Sequence, residues 1–242
     1  MLMEGSDAAL TYQLDIHSLL VSFPVYRHPA DESPPLRRFS PTVERIRKEV
    51  EKAVGHPLNH ALIQYYRHGG DYISEHSDKT IDVVHGSKIV NVSLGAQRTM
   101  TLRTKKDAAR ASQNERDKQT IPLPHNSCFV MGLKTNEKWL HSIRHDKRPI
   151  AQKSPEEQAY GGERISLTFR NIGTFLSKDE MFIWGQGAKA KAKEVAQLVV
   201  NGGDEVQVLV DAFGCENQSS DFDWDDVYGG GSNVLHFSPI SS

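Results

Sequence analysis

At 242 residues, 38% apolar and 25% charged, the chain is long enough for one sizeable domain with a real core. A formal net charge of -2 excludes a general attraction for phosphate backbones or anionic membranes and leaves room only for a local basic groove. No apolar run is long enough to span a bilayer, and Met1 to Ala8 carries Glu4 and Asp7 where a signal peptide would be basic.

Cys128 and Cys215 stand far apart without CxxC spacing and read as reduced thiols of an intracellular, cytoplasmic protein. Residues 1–38 read as an irregular leader in which Leu14, Leu19, Leu20 and Val21 form one short packed element. Ser40-Pro41 supplies an N-cap oxygen and a first-turn proline. Val43, Ile46, Val50 and Val54 then recur at helical spacing up to Gly55. From Ala61 the period changes to short strand-like runs: Ala61–Tyr66, Lys88–Leu94, Arg98–Arg103, Ser127–Met131, Lys138–Ile143 and Arg164–Arg170. Gly-rich turns separate them. This pattern predicts a mainly β fold with flanking helices (α+β) and a sandwich or jelly-roll core over 39–175. Lys105 to Thr120, strongly polar, reads as a solvated loop. The remainder, 176–242, reads as a C-terminal extension packed on the core, with a helix over Ala188 to Val200 whose Lys189, Lys191 and Lys193 are solvated. Val206 to Val210 follows as a strand, and Gly185-Gln186-Gly187 as a turn.

His76-Ser77-Asp78 is the sharpest chemical signal. In an extended segment, residues i and i+2 point to the same side, so an imidazole and a carboxylate grip one ion. Two histidines and one carboxylate on one face of an octahedron leave three positions open, which suits Fe(II), although a catalytic zinc takes the same ligands. Arg164, Ser166, Thr168 and Arg170 alternate along one face of their strand, and Ile165, Leu167 and Phe169 face the core.

The run LIQYYRHGGDYISEHSDKTIDVVHGSKIVNVSLGAQRTMTLRTK, from Leu62, resembles the core of AlkB-like oxygenases, members of the Fe(II)/2-oxoglutarate-dependent dioxygenase superfamily that repair or edit alkylated nucleic acids. Lys138-Trp139-Leu140-His141-Ser142-Ile143 resembles their distal histidine strand, and Arg164 to Arg170 their closing strand. The four motifs stand in the family's order over about residues 40 to 172. The resemblance implies a double-stranded β-helix (jelly-roll) core, with His76, Asp78 and His141 holding Fe(II). It implies 2-oxoglutarate anchored by Arg164 and Arg170 beside Tyr66, with dioxygen as oxidant. Gln64 and Ser166 stand where the relatives carry asparagines and still hydrogen-bond. Residues six apart on an ideal strand are roughly 20 Å apart, so either both arginines lean inward or Arg170 does something else.

Two substrate classes compete. Alkylated nucleic acid requires a basic groove and an aromatic clamp, for which the leader offers Phe23, Tyr26, Arg27, Arg37, Arg38 and Phe39. Such an enzyme would also be expected in the nucleus. The chain also resembles biosynthetic, fungal-type superfamily members that oxidise aliphatic amino acids such as valine and carry a C-terminal extension. Near-neutral charge and an acidic tail favour that small-molecule reading, with Trp139, Leu235 and Phe237 as candidate pocket residues. A metal-binding protein without catalysis needs only the triad and leaves the paired arginines unexplained.

Overall fold

Ser40 caps the first helix as its sequence dictates: its Oγ accepts the Val43 N–H at 3.3 Å, Pro41 opens α1 (Pro41–Val54), and Gly55 closes it in the left-handed region at φ 81°. In this computed structural model, which describes residues 21–29, 36–108 and 116–237, α1 lies on one face of a four-stranded antiparallel sheet.

The other elements, in chain order, begin with β1 (Ser22–Pro24), which precedes α1, then β2 (His60–Tyr66), β3 (Ile73–His76), β4 (Lys88–Gly95), β5 (Arg98–Thr104), β6 (Lys118–Leu123) and β7 (Ser127–Gly132). A short helix, α2 (Leu133–Lys138), leads into β8 (Trp139–Ile143). The single-turn α3 (Pro155–Gln158) precedes β9 (Arg164–Arg170). The tail adds β10 (Thr174–Ser177), β11 (Phe182–Gly185), β12 (Gln197–Leu198), β13 (Val200–Asn201), α4 (Asp204–Gln218), α5 (Trp224–Tyr228) and β14 (Val234–His236).

Two four-stranded sheets, ordered β2-β9-β4-β7 and β3-β8-β5-β6, form the double-stranded β-helix. On the outer face of the first, Val50 and Val54 of α1 pack with Leu58, Val90, Val92, Leu167 and Phe169. Burying such side chains is worth about 1.5–3 kcal/mol each and fixes the register of β9. Between the sheets, Tyr66, Met100, Leu102, Leu123 and Ile143 form the second core. Ile165 departs from expectation. It shares the outward face with Leu167 and Phe169, but α1 does not reach it, and it is 40% exposed.

The leader and tail build a third sheet, β1-β10-β11-β12. Ser22–Pro24 is thus a strand inside the segment read as irregular. Val21 is half exposed; Leu14, Leu19 and Leu20 lie outside the described residues. Arg27 ties leader, core and tail together. Fully buried, it pairs with Asp82 at 2.6 Å and donates to the carbonyls of Gly187, Ser232 and Val234. A Cβ at Gly187 would stand 2.7 Å from the Arg27 guanidinium, so this turn requires glycine.

Three tail and loop expectations are corrected. Ala188 to Val200 is not a helix but an extended stretch with one 3-10 turn at Lys193–Val195. Ala188 and Ala190 are buried while Lys189 and Lys191 are exposed, a period of two that overrides alanine's helix propensity. Val206 to Val210 belongs to α4 rather than to a strand, because Leu209, Phe213 and Glu216 recur at helical spacing on its buried face. Lys105, assigned to a solvated loop, is fully buried, and β6 begins at Lys118. Among the described residues no helix is long and apolar enough to cross a membrane.

Candidate metal centre and co-substrate pocket

Strands β3 and β8 lie side by side with His76 opposite His141, and Asp78 follows two residues past the end of β3. Asp78 Oδ1 lies 3.8 Å from His76 Nε2 and 3.6 Å from His141 Nε2. Bonds of about 2.0–2.2 Å to one ion bridge such gaps. The three form the one candidate metal-holding group among the described residues. His76 Nδ1 sits 2.8 Å from the Ser74 carbonyl. Since a carbonyl only accepts, Nδ1 carries the proton and Nε2 is left with a lone pair for the ion.

The two oxygens of Asp78 divide their partners. While Oδ1 faces the histidines, Oδ2 accepts from Nε and Nη2 of Arg170 at 2.9 and 2.6 Å. Burial raises the Asp78 carboxyl, but Arg170 and the two imidazoles outweigh burial and hold it down at about 2. Burial likewise pushes His141 down to about 3, aided by His76, and His60 down to about 3, aided by Arg170. Both rings are therefore neutral at physiological pH, which for His141 is the state a metal ligand needs.

Those histidines set an acid limit. In the unfolded chain each ionises near 6.5, well above its value in the fold. The unfolded state thus binds more protons, and stability is lost as pH falls from 6.5 toward 3. The metal-free protein should melt several degrees lower at about pH 5 than at about pH 7 by calorimetry. Equal melting temperatures would contradict buried neutral histidines.

Further residues fix the triad. Asn136 of α2, 1% exposed, accepts the Asp78 N–H and donates to the Asp78 carbonyl, both at 2.9 Å. The Arg170 guanidinium carbon sits 4.0 Å over the centroid of the Tyr26 ring, and the Tyr26 hydroxyl accepts the Lys79 N–H at 3.1 Å. Burial raises the Tyr26 phenol well above its usual range, against the opposing pull of Arg170. His28 and His60 lie tilted by 40° against the same ring, with centroids at 5.8 and 5.6 Å. Asn136, His28 and His60 carried no motif in the sequence, since their partners are far along the chain.

The triad opens into a cavity between the two sheets. Arg164, Ser166, Thr168 and Arg170 of β9 line it, with Gln64 and Tyr66 of β2. Leu62, Ile73, Ile89, Met100, Phe129, Met131 and Ile143 complete an apolar wall. Arg164 is 1% exposed, and its hydrogen-bond partners are neutral: Asn91 Oδ1 at 3.0 Å and the Ser93 hydroxyl at 2.8 Å, with Ser166 Oγ at 3.4 Å. Tyr66 lies between its guanidinium and that of Arg98, at 5.0 and 5.6 Å. Nη1 of Arg164 and Nη1 of Arg170 are both buried without a hydrogen-bond partner. A buried cation with no counter-anion is costly, so this end of the cavity is built for an anion. Asn91 and Ser93 had a readable signal: polar residues alternating through an otherwise apolar strand.

The family described as 2OG-Fe(II) oxygenase superfamily matches residues 11–170. The chain belongs to this superfamily. As its name states, it pairs Fe(II) with 2-oxoglutarate, and the donor set of two imidazoles, one carboxylate and an unpaired buried arginine fits both. The chain is 34% identical over 132 residues to "DNA oxidative demethylase ALKBH2" of Homo sapiens, covering 54% of this chain and 46% of that protein. "Alpha-ketoglutarate-dependent dioxygenase alkB homolog 3" of Homo sapiens is 28% identical over 141 residues, 57% of this chain and 45% of that protein. "Uncharacterized protein R406" of Acanthamoeba polyphaga mimivirus is 30% identical over 140 residues, 58% of this chain and 63% of that protein. The chain spans about half the length of the ALKBH2 relatives it matches. A solved structure titled "The structure of OsALKBH1" aligns at TM-score 0.35 and 16% identity, covering 53% of this chain and 65% of that chain.

The superfamily cavity brings together His76, Asp78, His141, Gln64, Tyr66, Arg164, Ser166 and Arg170. It does not include three side chains considered for the substrate. Trp139 shares the face of His141 but packs into the inter-sheet core. Leu235 packs with Val25, Leu176 and Ile183, and the Phe237 ring lies tilted 5.7 Å from Phe213. Leu235 and Phe237 flank or lie on β14, which the tail clusters hold through the fully buried Val234. Of the leader candidates, Arg27 is consumed by its pair with Asp82, whereas Arg37 and Arg38 are exposed.

Proposed function

We propose that this chain is an Fe(II)- and 2-oxoglutarate-dependent dioxygenase that oxidises alkylated nucleic acid. The observation that carries the dioxygenase reading is Arg164, a buried guanidinium with neutral partners and an unpartnered Nη1, in the same cavity as the His76–Asp78–His141 group.

In this reading His76, Asp78 and His141 would hold Fe(II), and Arg164 would take the distal carboxylate of 2-oxoglutarate beside Tyr66. Bound there, the metal and co-substrate supply the oxidation of an unactivated C–H bond by dioxygen, with 2-oxoglutarate leaving as succinate and CO₂. The protein contributes position. Asn91 and Ser93 aim the Arg164 fork, Arg170 leaves Oδ1 of Asp78 for the metal, and the apolar wall excludes water. Arg170 differs from the simple anchor the sequence implies. Two of its N–H groups hold Asp78, and Nη1 alone is left for a co-substrate.

The sequence alone leans to a small molecule; the DNA oxidative demethylases among the relatives support nucleic acid instead. The partly exposed ring of His28, 5.8 Å from Tyr26 beside the triad, offers an aromatic contact for an extruded base. One observation favours the small molecule. The stretch Asp204 to Asp226 holds many carboxylates and no lysine or arginine, and it packs directly on residues 77–80, where it would repel phosphates.

The test compares a methylated single-stranded oligonucleotide with a panel of free amino acids, valine included. Expected are formaldehyde and stimulated succinate release with the oligonucleotide, and binding that weakens steeply with added salt. Stimulation by an amino acid and none by the oligonucleotide would replace the nucleic-acid reading with the small-molecule one.

A further inference from the structure

Helix α4 begins more than thirty residues past the last residue matched to the superfamily, yet its final turn binds the segment that carries Asp78. Asn217 Oδ1 accepts the Ser77 N–H at 2.9 Å and faces the Ser77 hydroxyl at 3.3 Å. Glu216, 2% exposed, accepts the Thr80 N–H at 3.0 Å and the Thr80 hydroxyl, and takes the Tyr228 hydroxyl on its other oxygen at 2.8 Å. Between them, Lys79 Nζ donates to the Phe213 carbonyl at 3.0 Å.

The C-terminal end of a helix presents unpaired carbonyls and a partial negative charge. The last turn of α4 has no basic residue of its own. Two lysines of the core serve instead: Lys79, and the fully buried Lys105, which reaches the carbonyls of Glu216 and Ser219 at 2.5 and 3.0 Å. Residues 77, 79 and 80, on both sides of Asp78, are thus anchored to one helix end. Asp78's own backbone goes to Asn136.

We propose that α4 is a positioning element of the metal centre. Asn217 and Glu216 fix the backbone of Ser77 and Thr80, on either side of Asp78, and so the angle at which Asp78 meets His76 and His141. This rests on the metal-ligand reading of the triad. A carboxylate ligand held by its neighbours' backbone needs no reorganisation when the ion arrives. Freed from that hold, it samples orientations that miss the ion, and the loss falls on affinity and coordination geometry.

The experiment loads the full chain with Co(II) and reads affinity and the visible ligand-field spectrum, beside a urea melt for stability. Asn217→Ala should weaken Co(II) binding about 10- to 100-fold, as loss of groups that orient ligands does, and change the band shape. Glu216→Gln, which keeps an acceptor for Thr80, should retain the wild-type spectrum. Leu209→Ala, a cavity in the same helix with no bond to residues 77–80, should lower the urea midpoint and leave affinity and spectrum unchanged. Unchanged Co(II) affinity and spectrum in Asn217→Ala would overturn the proposal. So would equal changes in Leu209→Ala, which would reduce the helix to general stability. A wild-type protein that binds no Co(II) would instead sink the metal reading itself and the positioning role with it.

Discussion

Asp78→Ala should abolish turnover and metal binding together and also destabilise the metal-free fold by about 3–5 kcal/mol, the usual result of breaking a buried ion pair from one side. The two effects have separate atoms. Oδ1 faces the two imidazoles, and Oδ2 neutralises Arg170, a guanidinium 3% exposed and covered by the Tyr26 ring. Asp78→Asn separates them. An amide oxygen still accepts from Arg170, so much of the stability should return, but a neutral ligand should not restore iron affinity. Denaturant melts and Fe(II) titrations of the three proteins check this. Wild-type metal affinity in Asp78→Ala would place the ion elsewhere.

Arg164→Met should do the opposite to stability. Arg164 is buried among neutral partners, so replacing it with an apolar side chain of similar length removes an unpaired charge. The melting temperature of the metal-free protein should therefore hold or rise. Affinity for 2-oxoglutarate should fall by about 2–5 kcal/mol, roughly 30- to 5000-fold in Kd, because a carboxylate would lose its charged partner in a dry site. The stabilisation that 2-oxoglutarate gives the metal-loaded protein should vanish with it. A variant less stable than wild type but equally responsive to 2-oxoglutarate would show that Arg164 is structural.

What could be read from the sequence was local. His76-x-Asp78 and the alternation Arg164, Ser166, Thr168, Arg170 are set by the two-residue period of extended chain, and the cavity displays those residues as that period requires. The cap at Ser40-Pro41 and the stop at Gly55 were equally local. What the sequence hid depends on partners far along the chain. Nothing near Asn136 marks it as the holder of the Asp78 backbone, and Tyr26 meets Arg170 only after the leader folds back. The tail misled for a related reason. Lys189 to Lys193 alternates with alanine at the period of a strand, and alanine's helix propensity concealed it. The run Val206 to Val210 has β-branched residues, yet burial of Leu209 and Phe213 against Ile81 makes it helical.

The most direct measurement is an oxygen-free titration of the Fe(II)-loaded protein with 2-oxoglutarate, followed by visible absorption, because a 2-oxo acid chelated to Fe(II) absorbs by charge transfer. The triad and Arg164 together predict a band that saturates at one 2-oxoglutarate per iron, is absent in Asp78→Ala, and demands far more 2-oxoglutarate in Arg164→Met. A wild-type protein that binds Fe(II) yet shows no band at any 2-oxoglutarate concentration, or a band that survives in Asp78→Ala, would contradict it.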